Sequence, residues 1–199
     1  NKTGYTPIFN IMNINLDHIN FLFKNNLINN KLLLHKNVYG NICLHITKKS
    51  NTNVIKRILN SNFFNKEFLE IRNNIKQTIF MRFCEFNIDL VNYIFESEYM
   101  DKKLLLDRDL DGNNSLFYLF NNNKKSQVID FFKKLSNSIY FDLDLILNRN
   151  NDNETIFFNL KKNDYLKLLL EVKGYDYHVL TKNNYDEKSC LIKYAIENV

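Results

Sequence analysis

Apolar residues recur along this chain at fixed distances from six turn-tolerant or polar residues, which we call markers. The markers are Gly4, Gly40, Lys76, Gly112, Asn153 and Glu187. Successive markers are separated by 36, 36, 36, 41 and 34 residues. Residues of these types suit the tip of a β-turn, so we expect each marker to lie at such a tip.

Two short helices are predicted after each marker. The first carries apolar residues four and seven positions after the marker, which is the spacing of one helix face. These residues are Ile8, Ile11, Leu44, Phe80, Phe83, Leu116, Leu119, Phe157, Leu160, Leu191 and Tyr194, with one break at Thr47. The second helix carries apolar residues at i, i+3 and i+4, namely Ile19/Leu22/Phe23, Ile55/Ile58/Leu59, Val91/Ile94/Phe95, Val128/Phe131/Phe132 and Leu166/Leu169/Leu170.

An extended segment is predicted between each second helix and the next turn. It holds an apolar residue seven positions before the next marker, at Leu33, Leu69, Leu105, Ile146 and Leu180. Because these registers recur together, the sequence predicts an all-α repeat solenoid of helix–loop–helix–β-hairpin units of about 36 residues. The units span about 1–36, 37–72, 73–108, 109–149 and 150–183, with a partial unit at 184–199.

The units are expected to form one continuous array. Each unit buries its apolar faces only against its neighbours, so at least about three units are needed for stability. No linker rich in Pro, Gly or Ser divides the chain. The sequence opens at a hairpin and ends inside a first helix with no polar cap, so we expect an excerpt of a longer array.

The first turn shows the expected local chemistry most clearly. Gly4 suits a position with positive φ, Thr6 suits the cap of the following helix, and Pro7 is tolerated in its first turn.

These residues carry a resemblance to the ankyrin-repeat family. The family pattern Asp-x-x-Gly-x-Thr-Pro-Leu-His-x-Ala is similar to the segments 3–9, 37–45, 109–112 and 185–195. The segment 168–176 resembles the second helix of the family and its Gly-Ala-Asp exit. The resemblance covers the whole chain as about five repeats and a partial sixth.

The chain departs from the family in two ways. The family period is about 33 residues, so each loop here is longer. The small alanines of the first helix are replaced by Ile11, Phe83, Leu119 and Leu160, which we expect to hold neighbouring helices further apart. The 41-residue step adds about five residues near 136–142, which predicts either a bulged loop or a lengthened second helix.

Composition and charge limit the classes of function. The formal net charge is +5 and neither sign forms a long block, so nucleic-acid binding is not favoured. No apolar run reaches the ~18 residues of a membrane span. Three widely spaced cysteines, Cys43, Cys84 and Cys190, indicate a reducing compartment, so we expect an intracellular, cytoplasmic protein.

The segment Asp107–Gly112 begins like a calcium-binding EF-hand loop. Such a loop needs a bidentate Glu in its twelfth position, and this chain has Tyr118 there. The eighth position, which calls for a hydrophobic residue, is Asn114. The repeat register explains Asp109 and Gly112 as turn residues, so we do not expect calcium binding.

No other motif predicts chemistry. The four histidines lack metal-ligand spacing, and no nucleophile–base motif or phosphate-binding loop occurs. Cys43 and Cys190 share one repeat position with Pro7, which favours core filling. The resemblance implies a structural hydrogen bond for His45. We therefore expect no catalytic residue, no cofactor and no metal site, and the chain is not predicted to be an enzyme.

Lysine pairs at 48–49, 124–125 and 161–162 have two interpretations. They could form a basic rim for an acidic partner. The interpretation that we favour is a set of solvated helix ends, where lysine also suits the helix dipole.

The residues that flank the markers are the candidate binding surface. They should project in a row, and they are Tyr5, Tyr39, Asn41, Ile75, Gln77, Leu110, Asp111, Asn113, Asp152, Glu154, Tyr185 and Lys188. Exposed aromatic and aliphatic residues that the core does not need are typical of binding surfaces. The resemblance implies partners along these tips and the inner helices. The alternative is that the tyrosines pack only against the next tip.

The sequence therefore predicts a non-catalytic protein–protein interaction module with a concave surface of tips and inner helices. Two alternatives stay open. The chain could be a regulatory or substrate-recruiting segment of a larger enzyme or channel, or a structural subunit of a large assembly.

Overall fold

The computed structural model describes residues 2–13, 15–46, 51–122 and 124–156. These ranges are mostly helical and contain no β-strand; one isolated bridge joins Arg72 to Thr78. The all-α class predicted from the sequence is confirmed to this extent. Turns without paired strands stand where hairpins were predicted, so the hairpin part of the prediction is not met in the described ranges. None of the described helices combines the length and the apolar character that a membrane span needs.

The described helices are short. Two 3₁₀ helices span Pro7–Asn13 and Cys43–Ile46. The α-helices are α1 Leu16–Lys24, α2 Asn30–Leu33, α3 Thr52–Leu59, α4 Glu67–Glu70, α5 Ile79–Phe86, α6 Ile88–Phe95, α7 Lys102–Leu106, α8 Ser115–Phe120, α9 Lys125–Ser136 and α10 Asp144–Leu147. From one turn to the next, the order is a first helix, a second helix and a helix of about one turn.

The one-turn helices α2, α4, α7 and α10 correct the sequence analysis, which predicted extended segments at these places. Their apolar residues Leu33, Leu69, Leu105 and Ile146 are fully buried, as the register requires. Asn29 and Asp101 accept hydrogen bonds from the amides of Leu32 and Leu104, which caps α2 and α7. In α2 and α7, capping and burial act together on four or five residues, so the helix forms although its length gives no periodicity to recognise. Helix α4 has no side-chain cap and relies on burial.

Side-chain caps start several other helices. The Thr78 side chain accepts from the Met81 amide at the start of α5, and Asn87 accepts from the Leu90 amide at the start of α6. The cap predicted for Thr6 is wrong. Its hydroxyl is buried and has no hydrogen-bond partner among the described residues, while its carbonyl accepts from the Phe9 amide at 3.0 Å.

Adjacent units pack through corresponding helices. The pairs that contact one another are α1 with α3, α3 with α6, α6 with α9, and α5 with α8. The predicted core positions Phe80, Phe83, Phe131 and Phe132 are fully buried. Burying an aromatic side chain of this size contributes roughly 3–5 kcal/mol relative to alanine.

The extra residues of the fourth unit lengthen its second helix. Helix α9 has 12 residues, whereas α3 and α6 have 8 each. Of the two predicted alternatives, the lengthened helix is confirmed. The turn that follows leaves Ile139 almost fully exposed.

Candidate functional site

The markers lie at turn tips with the same backbone conformation. The φ values are +68° at Gly4, +72° at Gly40, +58° at Lys76, +78° at Gly112 and +64° at Asn153. Positive φ is strained for residues with a Cβ atom, which explains why three of these five positions are glycine. The predicted turn-tip role is confirmed for the five markers within the described residues.

An Asn or Asp three positions before the marker holds each turn from Asn37 onward. In the fourth unit, Asp109 Oδ1 accepts from the amides of Asp111 at 2.9 Å and Asn113 at 2.8 Å. The Asp109 amide also donates to the Asn113 carbonyl at 3.1 Å. Asn37, Asn73 and Asn150 make the same pairs of side-chain bonds in their own turns. A short side chain with an acceptor oxygen is what this arrangement needs.

Hydrogen bonds join each turn to the one before it. The amides of Val38, Asn74, Leu110 and Asn151 donate to the carbonyls of Thr3, Tyr39, Ile75 and Asp111 at 3.2, 3.0, 2.9 and 2.8 Å. Donors and acceptors occupy the same two positions relative to the marker in every pair. The tips therefore lie side by side in a row whose backbone is fixed.

A cation lies four positions before the marker of each described turn from Lys36 onward, and three of these cations bond to the equivalent residue of the next unit. Lys36 Nζ donates to the Arg72 carbonyl at 3.1 Å, and Arg72 Nη1 donates to the Arg108 carbonyl at 2.7 Å. Arg108 in turn donates to the Arg149 carbonyl at 3.0 Å. Arg72 also pairs with Asp107 at 2.8 Å. The sequence analysis missed these residues, although their spacing in register with the markers could have revealed them.

The tips expose apolar side chains. Tyr39, Ile75 and Leu110 expose between 47% and 56% of their surface, and Val38, which the sequence analysis did not select, is exposed to a similar extent. Tyr5 is also exposed, and its ring lies against Phe9 of its own unit, 4.9 Å between centroids.

The polar tip residues differ in exposure. Asp111 and Asp152 are exposed, and Asn41, Asn113 and Glu154 are half-buried. Gln77 does not project from its tip, so the prediction that it does is wrong. It is 4% exposed because its carbonyl accepts from His45 and its side-chain amide donates to Glu85. Tyr185 and Lys188 lie outside the described residues.

A polar cleft of about 200 Å³ lies beside the tips of the fourth and fifth units. Asp111, Asp152 and Glu154 line it, together with Tyr118. Burial raises the pKa of Tyr118, and its hydrogen bond to Asp109 acts in the same direction. Tyr118 therefore stays a neutral donor, and three carboxyl side chains line the cleft beside it.

His45 makes the structural hydrogen bonds that the resemblance implies. Its Nδ1 accepts from the Ile42 amide at 3.2 Å, so Nε2 carries the proton and donates to the Gln77 carbonyl at 3.2 Å. Burial lowers the pKa of His45 to about 4. The imidazole is thus neutral and ties the second unit to the third.

The remaining selected residues also have structural surroundings. Cys43 is buried, and burial raises the pKa of its thiol to about 12, which favours core filling over reactivity. Lys124 donates to Asp89 of the preceding unit at 2.8 Å, and Lys125 begins α9. Cys190 and the lysine pairs at 48–49 and 161–162 lie outside the described residues.

Comparison with solved structures gives a likeness of fold. No family model and no curated protein matches the chain. The chain is similar to a chain in the solved structure of the predatory endopeptidase Bd0816 from Bdellovibrio bacteriovorus in complex with the immunity protein Bd3460. The TM-score is 0.56 at 24% identity, over 79% of this chain and 74% of that chain. At this identity the likeness concerns the fold alone.

Proposed function

We propose that this chain is an ankyrin-like repeat solenoid that binds another protein along its turn tips and has no catalytic chemistry of its own. The observation that carries the proposal is the row of exposed apolar side chains at Tyr39, Ile75 and Leu110. These side chains lie on adjacent turns that backbone hydrogen bonds hold side by side. Surfaces of this kind supply the anchors of protein interfaces.

The rigidity of the turns strengthens the proposal. Two side-chain bonds and two backbone bonds fix the turn around Lys76, and a further bond joins it to the turn before it. Binding at these turns costs little conformational entropy, because the backbone of the tips is already ordered before a partner binds. The tip side chains are also dispensable for the core, because none of the three is buried.

The recurrence of elements supports the repeat architecture. A turn with a positive-φ marker, a first helix, a second helix and a one-turn helix follow one another in the same order through four successive units. The similar solved chain comes from a complex between two proteins, which agrees with a role in protein binding. The same surface would serve a regulatory or substrate-recruiting segment of a larger enzyme or channel.

A structural role in a larger assembly is the second candidate. One observation favours it: the first unit exposes the apolar residues Leu27 and Leu32 on its outer face. In this case the chain would be held mainly by its end and would not need its tips.

Capture of partners from native lysate, followed by mass spectrometry, tests the proposal. The tip variant carries Tyr39→Ser, Ile75→Ser and Leu110→Ser, and the control carries Ile139→Ser, which removes an exposed apolar side chain away from the tips. Circular dichroism first verifies that all three proteins are folded. We expect a partner that wild type and control retain and the tip variant loses. A partner that all three retain would contradict binding through the tips.

A further inference from the structure

A row of cations lies beside the turn tips, with one cation in each unit from the second to the fifth. The residues are Lys36, Arg72, Arg108 and Arg149, each four positions before its marker. Each of the first three donates to the backbone carbonyl of the next, at 3.1, 2.7 and 3.0 Å. The hydrogen bonds therefore hold the cationic groups in a fixed order across adjacent units. We call these four residues the cation row.

The cation row lies close to the turn tips. Arg72 also donates from Nη1 to the carbonyl of its own marker, Lys76, at 3.1 Å. Arg149 donates in the same way to the carbonyl of Asn153 at 2.6 Å. A protein that binds along the tips would therefore meet the cation row as well.

Carboxylates neutralise little of the charge on this row. Asp107 pairs with Arg72 at 2.8 Å, and Glu70, two positions before Arg72, pairs with Lys103. Lys36 and Arg108 are exposed, and neither has a carboxylate partner in the part of the chain that the structure describes. The row therefore presents positive charge to solvent from two units that are not adjacent.

The hydrogen bonds between units do not need these charges. A carbonyl acceptor is neutral, so a long uncharged donor such as glutamine could also bind it. Like charges in neighbouring units repel one another, and an anion between them would offset that repulsion. A cation at the same position in four consecutive units is therefore better explained by an anionic partner than by the hydrogen bonds alone.

The row is also prepared to bind carboxylates. Arg108 uses Nη1 for the Arg149 carbonyl, which leaves its other N–H groups to bind a carboxylate in the bidentate geometry typical of arginine. Lys36 likewise gives one donor to the Arg72 carbonyl and keeps two. Because the carbonyl bonds already order both side chains, binding an anion costs less side-chain entropy.

We infer that the cation row binds an acidic segment of the protein partner, whose carboxylates contact Lys36 and Arg108. The inference deepens the proposed function and rests on it, because the row lies beside the tips. Charge complementarity favours a peptide over a nucleic acid. Asp111 and Asp152 are exposed at neighbouring tips and would repel a backbone that carries a phosphate at every nucleotide. An acidic peptide can place neutral or apolar residues there.

Fluorescence anisotropy tests the inference with a short labelled peptide of alternating Glu and Ser and a matched peptide of alternating Gln and Ser. The row variant carries Lys36→Gln and Arg108→Gln, which remove two charges and keep a donor for each carbonyl. The control variant carries Lys24→Gln and Lys133→Gln, which remove two exposed charges outside the row. We expect wild type and control to bind the Glu peptide equally, and the row variant to bind it about tenfold or more weakly. The Gln peptide should not bind.

Two further measurements separate the effect of charge from an effect on folding. Lys36→Arg with Arg108→Lys keeps both charges and should keep most of the affinity for the Glu peptide. Each single variant, Lys36→Gln or Arg108→Gln, should weaken binding by a smaller factor than the pair. Circular dichroism verifies that every variant is folded, and binding by wild type should weaken as salt is added.

Three results would overturn the inference. They are no binding of the Glu peptide by wild type, equal loss of affinity in the row and control variants, and tighter binding of a single-stranded oligothymidylate of the same charge. The last result would identify a nucleic acid as the ligand. The tip variant with Tyr39→Ser, Ile75→Ser and Leu110→Ser keeps all four cations and should bind the Glu peptide like wild type. Failure of the cation row and failure of the tip row are therefore distinguishable.

Discussion

Replacement of Asn73 by alanine tests whether the turns are held by their Asn or Asp side chains. Asn73 Oδ1 accepts from the amides of Ile75 at 3.1 Å and Gln77 at 3.0 Å. Its Nδ2 donates to Asn41 Oδ1 in the preceding turn at 3.0 Å. Asn73→Ala removes these three bonds and a longer one from Nδ2 to Gln77 Oε1 at 3.5 Å, and it leaves the rest of the tip sequence unchanged.

The expected loss of stability depends on whether the two amides that lose their acceptor are buried. The Ile75 amide is near solvent and can bind water instead, so loss of its hydrogen bond to Asn73 costs about 0.5–1 kcal/mol. Gln77 is buried, so its amide loses an acceptor without replacement, at about 1–3 kcal/mol. We therefore expect Asn73→Ala to lower the free energy of unfolding by about 2–3 kcal/mol.

Two variants serve as controls. Asn74→Ala removes one exposed bond, from Nδ2 to the Val38 carbonyl at 2.9 Å, and should cost less than about 1 kcal/mol. Asn73→Asp keeps the acceptor oxygen, as Asp109 does in its own turn, and should recover part of the lost stability. Guanidinium unfolding followed by circular dichroism measures all three. Equal costs for Asn73→Ala and Asn74→Ala would show that the Asn73 side chain does not hold its turn.

Three further changes have defined outcomes. Stability should fall as the pH is lowered from about 6.5 to 4, because His45 takes up a proton in the unfolded chain but not in the folded one, where burial lowers its pKa to about 4. The free energy of unfolding should change by about 1.4 kcal/mol per pH unit in this range. His45→Gln should reduce this slope. Gly40→Ala should lower the melting temperature, because its Cβ would lie 2.8 Å from the Asn74 amide nitrogen at positive φ. Phe83→Ala should cost about 3–5 kcal/mol in denaturant unfolding, and Phe86→Ala, at an exposed position, much less.

The turn tips were the most predictable part of the molecule. Gly4, Gly40 and Gly112 mark positions where a Cβ is unfavourable, and the register then located Lys76 and Asn153, which share the positive φ. The repeat spacing located these two residues correctly because each turn contacts its neighbour through the same backbone hydrogen bonds.

The one-turn helices were not predictable by the same means. Four residues around Leu33 or Leu69 give too little sequence for a helical period to emerge. Tertiary burial decides their conformation, with help from a capping Asn29 in α2 and Asp101 in α7, and a single sequence does not show burial at this length as a pattern.

Part of the candidate surface could not be predicted from the sequence, for a different reason. Gln77 occupies a tip position, but a histidine 32 residues earlier in the chain captures its carbonyl and holds it in the core. The supporting cations Lys36, Arg72 and Arg108 were missed because charge was judged by blocks along the chain, not by position in the unit. Contacts between units thus decide which tip residues face solvent.

A protein partner that binds along the tip row, as we propose, should lie close to the exposed tip side chains. The most direct measurement places a photo-crosslinking phenylalanine analogue at Tyr39, at Leu110 and, as a control, at Ile139, and irradiates the protein in native lysate. We expect one common crosslinked partner from Tyr39 and Leu110 and none from Ile139. Crosslinking from Ile139 with none from the two tips would contradict this proposal.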